Sequence, residues 1–565
     1  MTAADGMNRR CNVDLVVLGS GAAGLTGALV AAAGGADVLL LEKTALIGGT
    51  SALSGGAHWI PANHHMPKVG VSDSPKEALA YLRACAAPNT DDEILVTLAE
   101  QGAPMLAHIE ALGVAHSIPW PAIGGTHDYR PWLPGAKHGG RALLPGKFAL
   151  ADLKEWRSKL RLGTPWHIDM IDYYAKQMYL SPPGNVLVES VGVEGAASAS
   201  RGTPEFMAAG TALVGELLTA CLAHGVRIEV ERRAEALVLN EGRVVGVRGS
   251  RTNGSWSVGA RHGVLVATGG YGGSEDLKRI WLRRPVLTTC ELAENEGDGH
   301  LMGMAIGAQM ANLGDAWWSP FIAAGVDDGL GKNITGSRED RVLPHTIIVN
   351  TRGKRFVNEA TNYSDICESF GENSGSSPRN FPAWLIFDQQ GVERYAMIAA
   401  KAPVGKTAEW LTIAPSPTVL ARKLGIDADA LAETVARFNG FARDGKDLDF
   451  HRGENQWDLG WCDPAHKPNP SLGSIEKPPF YAVEVIPGAL ATKGGLRVNG
   501  KGQVLSAAPP FGPIPGLYAA GNCSNAAPAG AYPGPGSTLG AAMTFGYVVG
   551  LEVVSQMSEP TATII

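Results

Sequence analysis

The sequence predicts an α/β protein built on a Rossmann-like dinucleotide-binding domain, and three observations carry that expectation. Val13-Asp14-Leu15-Val16-Val17-Leu18 is an apolar run of the kind a buried parallel strand requires. Gly19-Ser20-Gly21-Ala22-Ala23-Gly24 follows directly and opens an alanine-rich helix that runs to about Ala33. A second strand, Ala36 to Leu41, ends on Glu42, 23 positions after Gly19; in dinucleotide folds the ribose-binding acid lies roughly 20 residues on. In that geometry the glycines admit a pyrophosphate to the helix N-terminus, where exposed N–H groups and the helix dipole favour an anion. Glu42 would accept hydrogen bonds from ribose hydroxyls.

At 565 residues the chain is too long for one core and is expected to hold two domains, one of them open to insertion in the other. Its 45% apolar content and 18% charge are those of a globular protein, and its 72 glycines imply many close backbone approaches. The net charge of −7 argues against non-specific nucleic-acid binding, which needs a basic surface. Seven scattered cysteines without Cys-x-x-Cys spacing suit a reducing, cytoplasmic setting. Met1 to Asn12 has no export-signal pattern, and no uninterrupted apolar run approaches the ~18 residues that span a bilayer.

Further along, Glu42-Lys43-Thr44 leads into a segment rich in glycine and hydroxyls, with Gly49, Thr50, Ser51, Gly55 and Gly56, suited to wrapping a cofactor ring larger than nicotinamide. Residues 137–161 carry Lys137, Arg141, Lys147, Lys154, Arg157, Lys159 and Arg161 against only Asp152 and Glu155. Trp156, Trp166, Tyr173, Tyr174 and Tyr179 continue the segment, so 137–180 reads either as a solvated lid or as a peripheral contact with anionic lipid. Gly263 to Gly270 is a strand ending in the turn Ala267-Thr268-Gly269-Gly270, and Gly516 to Asn522 repeats that pattern near the C-terminus, through Gly521 and Asn522. Asp427 to Phe441 has helical spacing with Leu431, Val435 and Phe438 facing a core. Gly371 to Ser377 and 462–479 read as loops. A last helix starts at Ser537-Thr538-Leu539-Gly540 and reaches about Val554.

Just before that helix lies Ala531-Tyr532-Pro533-Gly534-Pro535-Gly536-Ser537. Prolines stiffen this turn and glycines admit close backbone approach. It therefore reads as either loop punctuation or a device that aims the Tyr532 hydroxyl and the Gly536 N–H at one carbonyl oxygen beside a cofactor.

Taken together, these blocks resemble the flavoprotein family of fumarate reductases, succinate dehydrogenases and 3-ketosteroid dehydrogenases, over residues 13–61, 263–311, 345–365 and 488–550. The resemblance implies FAD and a capping α+β catalytic domain inserted in the Rossmann-like FAD-binding domain. The expected division is 1–318 for the first FAD-binding part, with an insertion at about 137–204, then 319–487 for the cap and 488–565 for the second FAD-binding part. Asp298, in Gly297-Asp298-Gly299-His300, would close the first FAD portion. FAD is expected to be non-covalent, because the early glycine-rich segment lacks the His-Thr pattern of succinate dehydrogenases.

Two departures from fumarate reductases select a branch of this family. The cap motif Asn358-Glu359-Ala360-Thr361-Asn362 ends on Tyr363, where soluble fumarate reductases place a proton-donating arginine. The dicarboxylate-holding His-Thr-Met-Gly-Gly run is Ala491-Thr492-Lys493-Gly494-Gly495-Leu496-Arg497. Both are similar to the 3-ketosteroid Δ1-dehydrogenases, as is the Tyr532 to Gly536 turn. That likeness implies 1,2-desaturation of steroid ring A, with Tyr532 and Gly536 polarising the C3 ketone, Tyr363 taking the C2 proton, a hydride passing from C1 to the flavin, and a quinone or other acceptor reoxidising it. Tyr129, in His127-Asp128-Tyr129-Arg130-Pro131, is the expected second tyrosine, with a packing role as its alternative. A 3-keto-5α-steroid Δ4-dehydrogenase and a reductase of an unsaturated acid are the competing activities.

Overall fold

The computed structural model describes residues 11–558 apart from 115–117, 120–126, 164–204, 252–253, 283, 285, 287, 324–334, 337, 372, 375–376, 379, 396, 398–401 and 403. The aromatic residues Trp166, Tyr173, Tyr174 and Tyr179 of the expected insertion lie outside these described residues.

The nucleotide-binding sheet is built as the apolar runs dictate. Cys11–Leu18 lies centrally, parallel to Val38–Leu41 on one side and to Gly254–Val266 on the other, with Val16 opposite both Leu39 and Val264. Arg227–Glu229 extends one edge in parallel, and Pro513–Ala519 extends the other beside Gly254–Val266. The Val13 to Leu18 and Val264 to Val266 side chains are buried, as strands covered on both faces require. Helix Ala22–Ala33 covers the central strand. The final helix, Ser537–Ser558, lies on Ala22–Ala33, and a Cβ on Gly546 would come within 2.3 Å of the Ala23 carbonyl oxygen. Glycine at that crossing lets two backbones touch.

Ser537–Ser558 is long and apolar enough to cross a membrane by length and composition, with mean hydropathy 1.4, but 72% of that stretch is buried within the fold. Its apolarity is accounted for by core packing.

The second sheet places Met310–Ile322 and Ala383–Asp388 on either side of Phe480–Leu496, with Thr346–Asn350 beyond Ala383–Asp388. Phe480 and Ala482 belong to the cap core, which includes Leu431, Val435 and Phe438 of helix Ala428–Asp444; Ala491 and Leu496 belong to the main core. One strand thus runs through both regions. The expected domain boundaries, 318/319 and 487/488, both fall inside paired strands, and Ser319 sits opposite Gly488. The sequence cuts the chain at facing rungs of a ladder that the fold leaves continuous.

The cap motif is held by charge. Glu359 accepts from Arg355 Nε at 2.8 Å and Nη2 at 2.7 Å, from Arg452 Nη1 at 3.2 Å and from the Ile348 N–H at 3.1 Å. Asp447 accepts from Arg355 Nη2 at 2.7 Å. Every member is buried, so this is a compensated ionic core that fixes the loop leading to Tyr363.

Candidate active site

A cleft runs along the carboxyl ends of the parallel strands, where open α/β sheets bind ligands. Gly19, Ser20, Gly21, Ala22, Ala23, Glu42, Lys43, Gly49, Thr50, Ser51, Ala267, Thr268, Gly269, Asp298, Gly521, Asn522 and Leu539 all line it. The remaining residues expected at the cofactor lie beside the cleft. Gly24 packs on the Gly19 carbonyl and Gly56 on the backbone of Ala209, while Gly55 is exposed. The Ser537 hydroxyl is spent on the preceding turn, donating to Gly534 O at 2.8 Å and accepting from Gly534 N at 3.1 Å. Close packing accounts for Gly24 and Gly56 and turn closure for Ser537, roles that spacing alone does not distinguish from ligand contact.

The lining fits a dinucleotide. Gly19 has φ +101°, and a Cβ there would lie 2.4 Å from the Ala267 carbonyl oxygen, so the tight turn needs glycine. Gly21 offers helix Ala22–Ala33 no side-chain cap, and apart from the Ala22 N–H, which donates to Ser51 Oγ at 3.1 Å, the first-turn N–H groups are left for a phosphate. Arg161 Nε and Arg232 Nη1 are buried donors without a protein partner, and both arginines line the cleft. Sequence reasoning missed Arg232 and assigned Arg161 to the basic segment; their signal is visible only as orphaned donors in the fold. The Glu42 carboxylate accepts from Ser20 Oγ at 2.6 Å and from Thr44 N at 2.8 Å. These bonds fix the carboxylate in the wall of the cleft.

At one end of the cleft Thr538, at the start of the final helix, donates from Oγ1 to the Tyr532 hydroxyl at 3.3 Å. Around Tyr532 the structure assembles the other predicted tyrosines. Ring centroids lie 5.1 Å apart for Tyr129 and Tyr363, 5.1 Å for Tyr129 and Tyr532, and 5.3 Å for Tyr363 and Tyr532. Tyr129 comes from a loop of the main domain, Tyr363 from the first residue of cap helix Tyr363–Phe370, and Tyr532 from the C-terminal turn. The Gly536 N–H lies close enough to the Tyr532 hydroxyl to lower its pKa. The two donors expected to share one target are therefore adjacent.

Several side chains that the sequence did not single out set this geometry. Trp317 packs on Tyr532 at 4.7 Å and donates from Nε1 to Asn522 Oδ1 at 2.9 Å, while Trp457 packs on Tyr129 at 4.6 Å. Lys493 Nζ donates to the Pro528 and Ala531 carbonyls at 3.0 and 2.9 Å and pairs with Asp315 at 2.9 Å, so it holds the loop that carries Tyr532. The Tyr129 N–H and Tyr81 hydroxyl both donate to the Pro533 carbonyl, at 2.9 and 2.6 Å.

Within the basic segment Arg141 and Lys137 depart from the surface reading, whereas Lys147, Lys154 and Arg157 are exposed. Arg141 is 1% exposed and bonded to Asp73 and Asp128, and Lys137 pairs with Glu77. Asp128 in turn accepts from Trp59 Nε1 at 2.8 Å. These two cations brace the Tyr129 loop from inside rather than offering charge to a lipid surface.

The electrostatics of the resting site favour protonated phenols. Burial, then the neighbouring Tyr129 and Tyr532, hold the Tyr363 hydroxyl well above its usual value of 10. Burial also raises Tyr532, partly offset by hydrogen bonds with Thr538, Tyr363 and the Gly536 N–H. In the resting chain Tyr129, packed against Tyr363 at 5.1 Å, adds to the rise at Tyr363.

Residues 14–539 match the family described as FAD binding domain. The chain is 36% identical to a 3-oxosteroid 1-dehydrogenase of Mycolicibacterium smegmatis, covering 96% of this chain and 97% of that one. The chain belongs to the FAD-dependent flavoprotein family that includes the 3-oxosteroid 1-dehydrogenases. Within this flavoprotein family it is also 38% identical to a 4-oxocyclohexanecarboxylate 2-dehydrogenase of Sinomonas cyclohexanicum, over 97% of this chain and 94% of that one. Its fold superposes with TM-score 0.84 on the 3-ketosteroid Δ1-dehydrogenase of Sterolibacterium denitrificans in complex with 1,4-androstadiene-3,17-dione, at 32% identity over 96% of this chain and 100% of that one. As a family member the chain is an oxidoreductase and uses FAD.

Proposed function

We propose that this flavoprotein desaturates the C1–C2 bond of a 3-ketosteroid, and that the cluster of Tyr129, Tyr363 and Tyr532 beside the Gly536 N–H is where it does so. The juxtaposition of Tyr532 and Gly536 carries the reading. A carbonyl oxygen accepting from both would be stabilised as its enolate, which acidifies the adjacent C2–H. Tyr363 takes that C2 proton, and Tyr129 supports it by hydrogen bonding. The Gly19 to Gly21 turn, Glu42 and the Arg161 and Arg232 side chains would hold FAD, which when bound would supply the oxidising power for loss of the C1 hydrogen with its electron pair. One proton and one hydride leave, and the C1–C2 double bond balances them. A quinone or comparable acceptor would then regenerate the cofactor.

The 4-oxocyclohexanecarboxylate relative supports a second reading, a small ring ketone bearing a carboxylate. Three cations packed around the tyrosine loops are already committed: Arg130 to Asp365, Lys493 to Asp315, and Arg141 to Asp73 and Asp128. A carboxylate would have to compete for them, so a neutral steroid ketone is the better match. Anaerobic mixing of the FAD-loaded protein with androst-4-ene-3,17-dione is expected to bleach the flavin and yield the 1,4-diene. Bleaching only with 4-oxocyclohexanecarboxylate would give the second reading, and bleaching only with 5α-androstane-3,17-dione a Δ4 activity. Oxidation of the reduced protein by fumarate would overturn the ketone assignment altogether.

A further inference from the structure

Tyr129 and Tyr363 lie on different parts of the fold, and the residues next to them form an ion pair across that division. Arg130 Nη2 donates to Asp365 Oδ1 at 2.7 Å and Nε to Asp365 Oδ2 at 3.3 Å, a two-pronged contact of guanidinium on carboxylate. The pair is shielded, with side-chain exposures of 18% and 25%.

Each end is anchored independently. On the main-domain side Arg130 Nη1 donates to the Cys85 carbonyl at 3.2 Å, and the Arg130 N–H donates to the Tyr81 hydroxyl at 3.2 Å. Tyr81 itself donates to Pro533, next to Tyr532. On the cap side Asp365 is in the first turn of helix Tyr363–Phe370, where Asn362 Oδ1 accepts from the Asp365 N–H at 3.0 Å. The Asn362 amide also donates to the Tyr129 carbonyl at 3.4 Å. Arg130 therefore joins the segments bearing all three tyrosines, and Asp365 lies two residues from Tyr363.

We propose that the Arg130–Asp365 pair is the positioning device that sets Tyr363 against Tyr129 and Tyr532, so that proton transfer, rather than folding or cofactor binding, depends on it. The proposal rests on the function proposed for these tyrosines. A bidentate pair fixes both distance and orientation, and a shift of about 1 Å between proton donor and acceptor costs up to roughly a hundredfold in rate. Neutralised as a pair, Arg130 and Asp365 present little net charge to the phenols; removing one member exposes the other. The other charged or titratable groups facing this assembly are Tyr129 and Tyr532 at Tyr363, Cys85 and Glu368 at Arg130, and Arg284 and Asp315 at Glu368.

The test uses the FAD-loaded protein with androst-4-ene-3,17-dione and four variants: Arg130→Gln, Asp365→Asn, the exchange Arg130→Asp with Asp365→Arg, and Tyr363→Phe. Each single change at the pair is expected to lower kcat roughly tenfold or more while flavin content and melting temperature stay near those of the parent. The rising limb of the pH profile should move to higher pH without the cation and to lower pH without the carboxylate. A purely structural pair would not produce that opposition. Restored turnover in the exchanged variant would strengthen the assignment. Unchanged kcat in both single variants, or losses that follow flavin content, would overturn it. Tyr363→Phe separates the two levels: if it stays active, the proposed function fails; if it is inactive while Arg130→Gln is fully active, only the positioning role fails.

Discussion

Gly536 has φ +91°, and a Cβ there would fall 2.4 Å from the Ala57 carbonyl carbon. Gly536→Ala is therefore expected to displace the turn that carries both carbonyl donors and to cut turnover by at least about a hundredfold, the scale of losing one such donor. Steady-state kinetics of the purified holoprotein would check this. Tyr532→Phe should slow exchange of steroid C2 hydrogens with deuterated solvent; undiminished exchange would remove Tyr532 from enolisation. The raised Tyr363 pKa gives a sign for pH. A base that keeps its proton at neutral pH has an ionised fraction that grows as pH rises, so kcat is expected to increase from pH 7 into the alkaline range. A flat profile there, with chemistry shown to be rate-limiting by a C1-deuterium isotope effect, would contradict Tyr363 as the base. Tyr363 and Tyr532 were legible from short motifs. Trp317, Trp457 and Thr538 were not, because aromatic and hydroxyl side chains at these spacings read equally well as ordinary core.

Among the elements, the stretch from Thr346–Asn350 to helix Tyr363–Phe370 shows how a motif can be recognised for one reason and held in place for another. Glu359 looked like part of a catalytic signature, yet it is fully buried and bonded to Arg355 and Arg452. Removing one member of a buried ionic set leaves the others uncompensated, so Glu359→Gln is expected to destabilise the cap by about 3–5 kcal/mol, measurable by chemical denaturation. Burial opposes ionisation of Glu359, but Arg355 and Arg452 outweigh it and hold the pKa below the ordinary 4.5. The stability this carboxylate contributes is thus complete above pH 4.5 and lost as pH falls through its lower folded value. The strands and the first helix were readable because burial on both faces demands continuous apolar runs, visible at Val13 to Leu18 and Gly263 to Val266. The run Phe480–Leu496 was cut in two by the expected boundary. Its backbone nonetheless pairs along most of its length.

For the molecule as a whole, the cleft suited to FAD is lined by segments far apart in sequence: the first glycine turn, the Arg232 region, the Ala267 turn and the start of the last helix. A ligand that binds only the folded chain stabilises it, by about 2.7 kcal/mol at a hundred times Kd. Arg232→Ala is expected to weaken FAD binding by at least roughly tenfold, the worth of one charge-assisted hydrogen bond. Flavin release during dialysis and a smaller FAD-induced rise in melting temperature would register it. If affinity is unchanged, the buried Arg232 donor serves the Trp256 stack beneath it instead.

The sequence by itself determined the nucleotide-binding half: strand, glycine turn, helix, strand and acid are contiguous, and each is imposed by local stereochemistry and burial. It also placed a tyrosine and a glycine donor on one stiff turn, because both lie within five residues, Tyr532 to Gly536. Only the tertiary structure decided that Tyr129, Tyr363 and Tyr532 meet, that Arg161 and Arg232 present unmet donors to the cofactor cleft, and that Arg130 reaches Asp365. Those contacts join residues up to several hundred positions apart, and no periodicity or spacing along a chain encodes a distance that is fixed by the packing of whole elements.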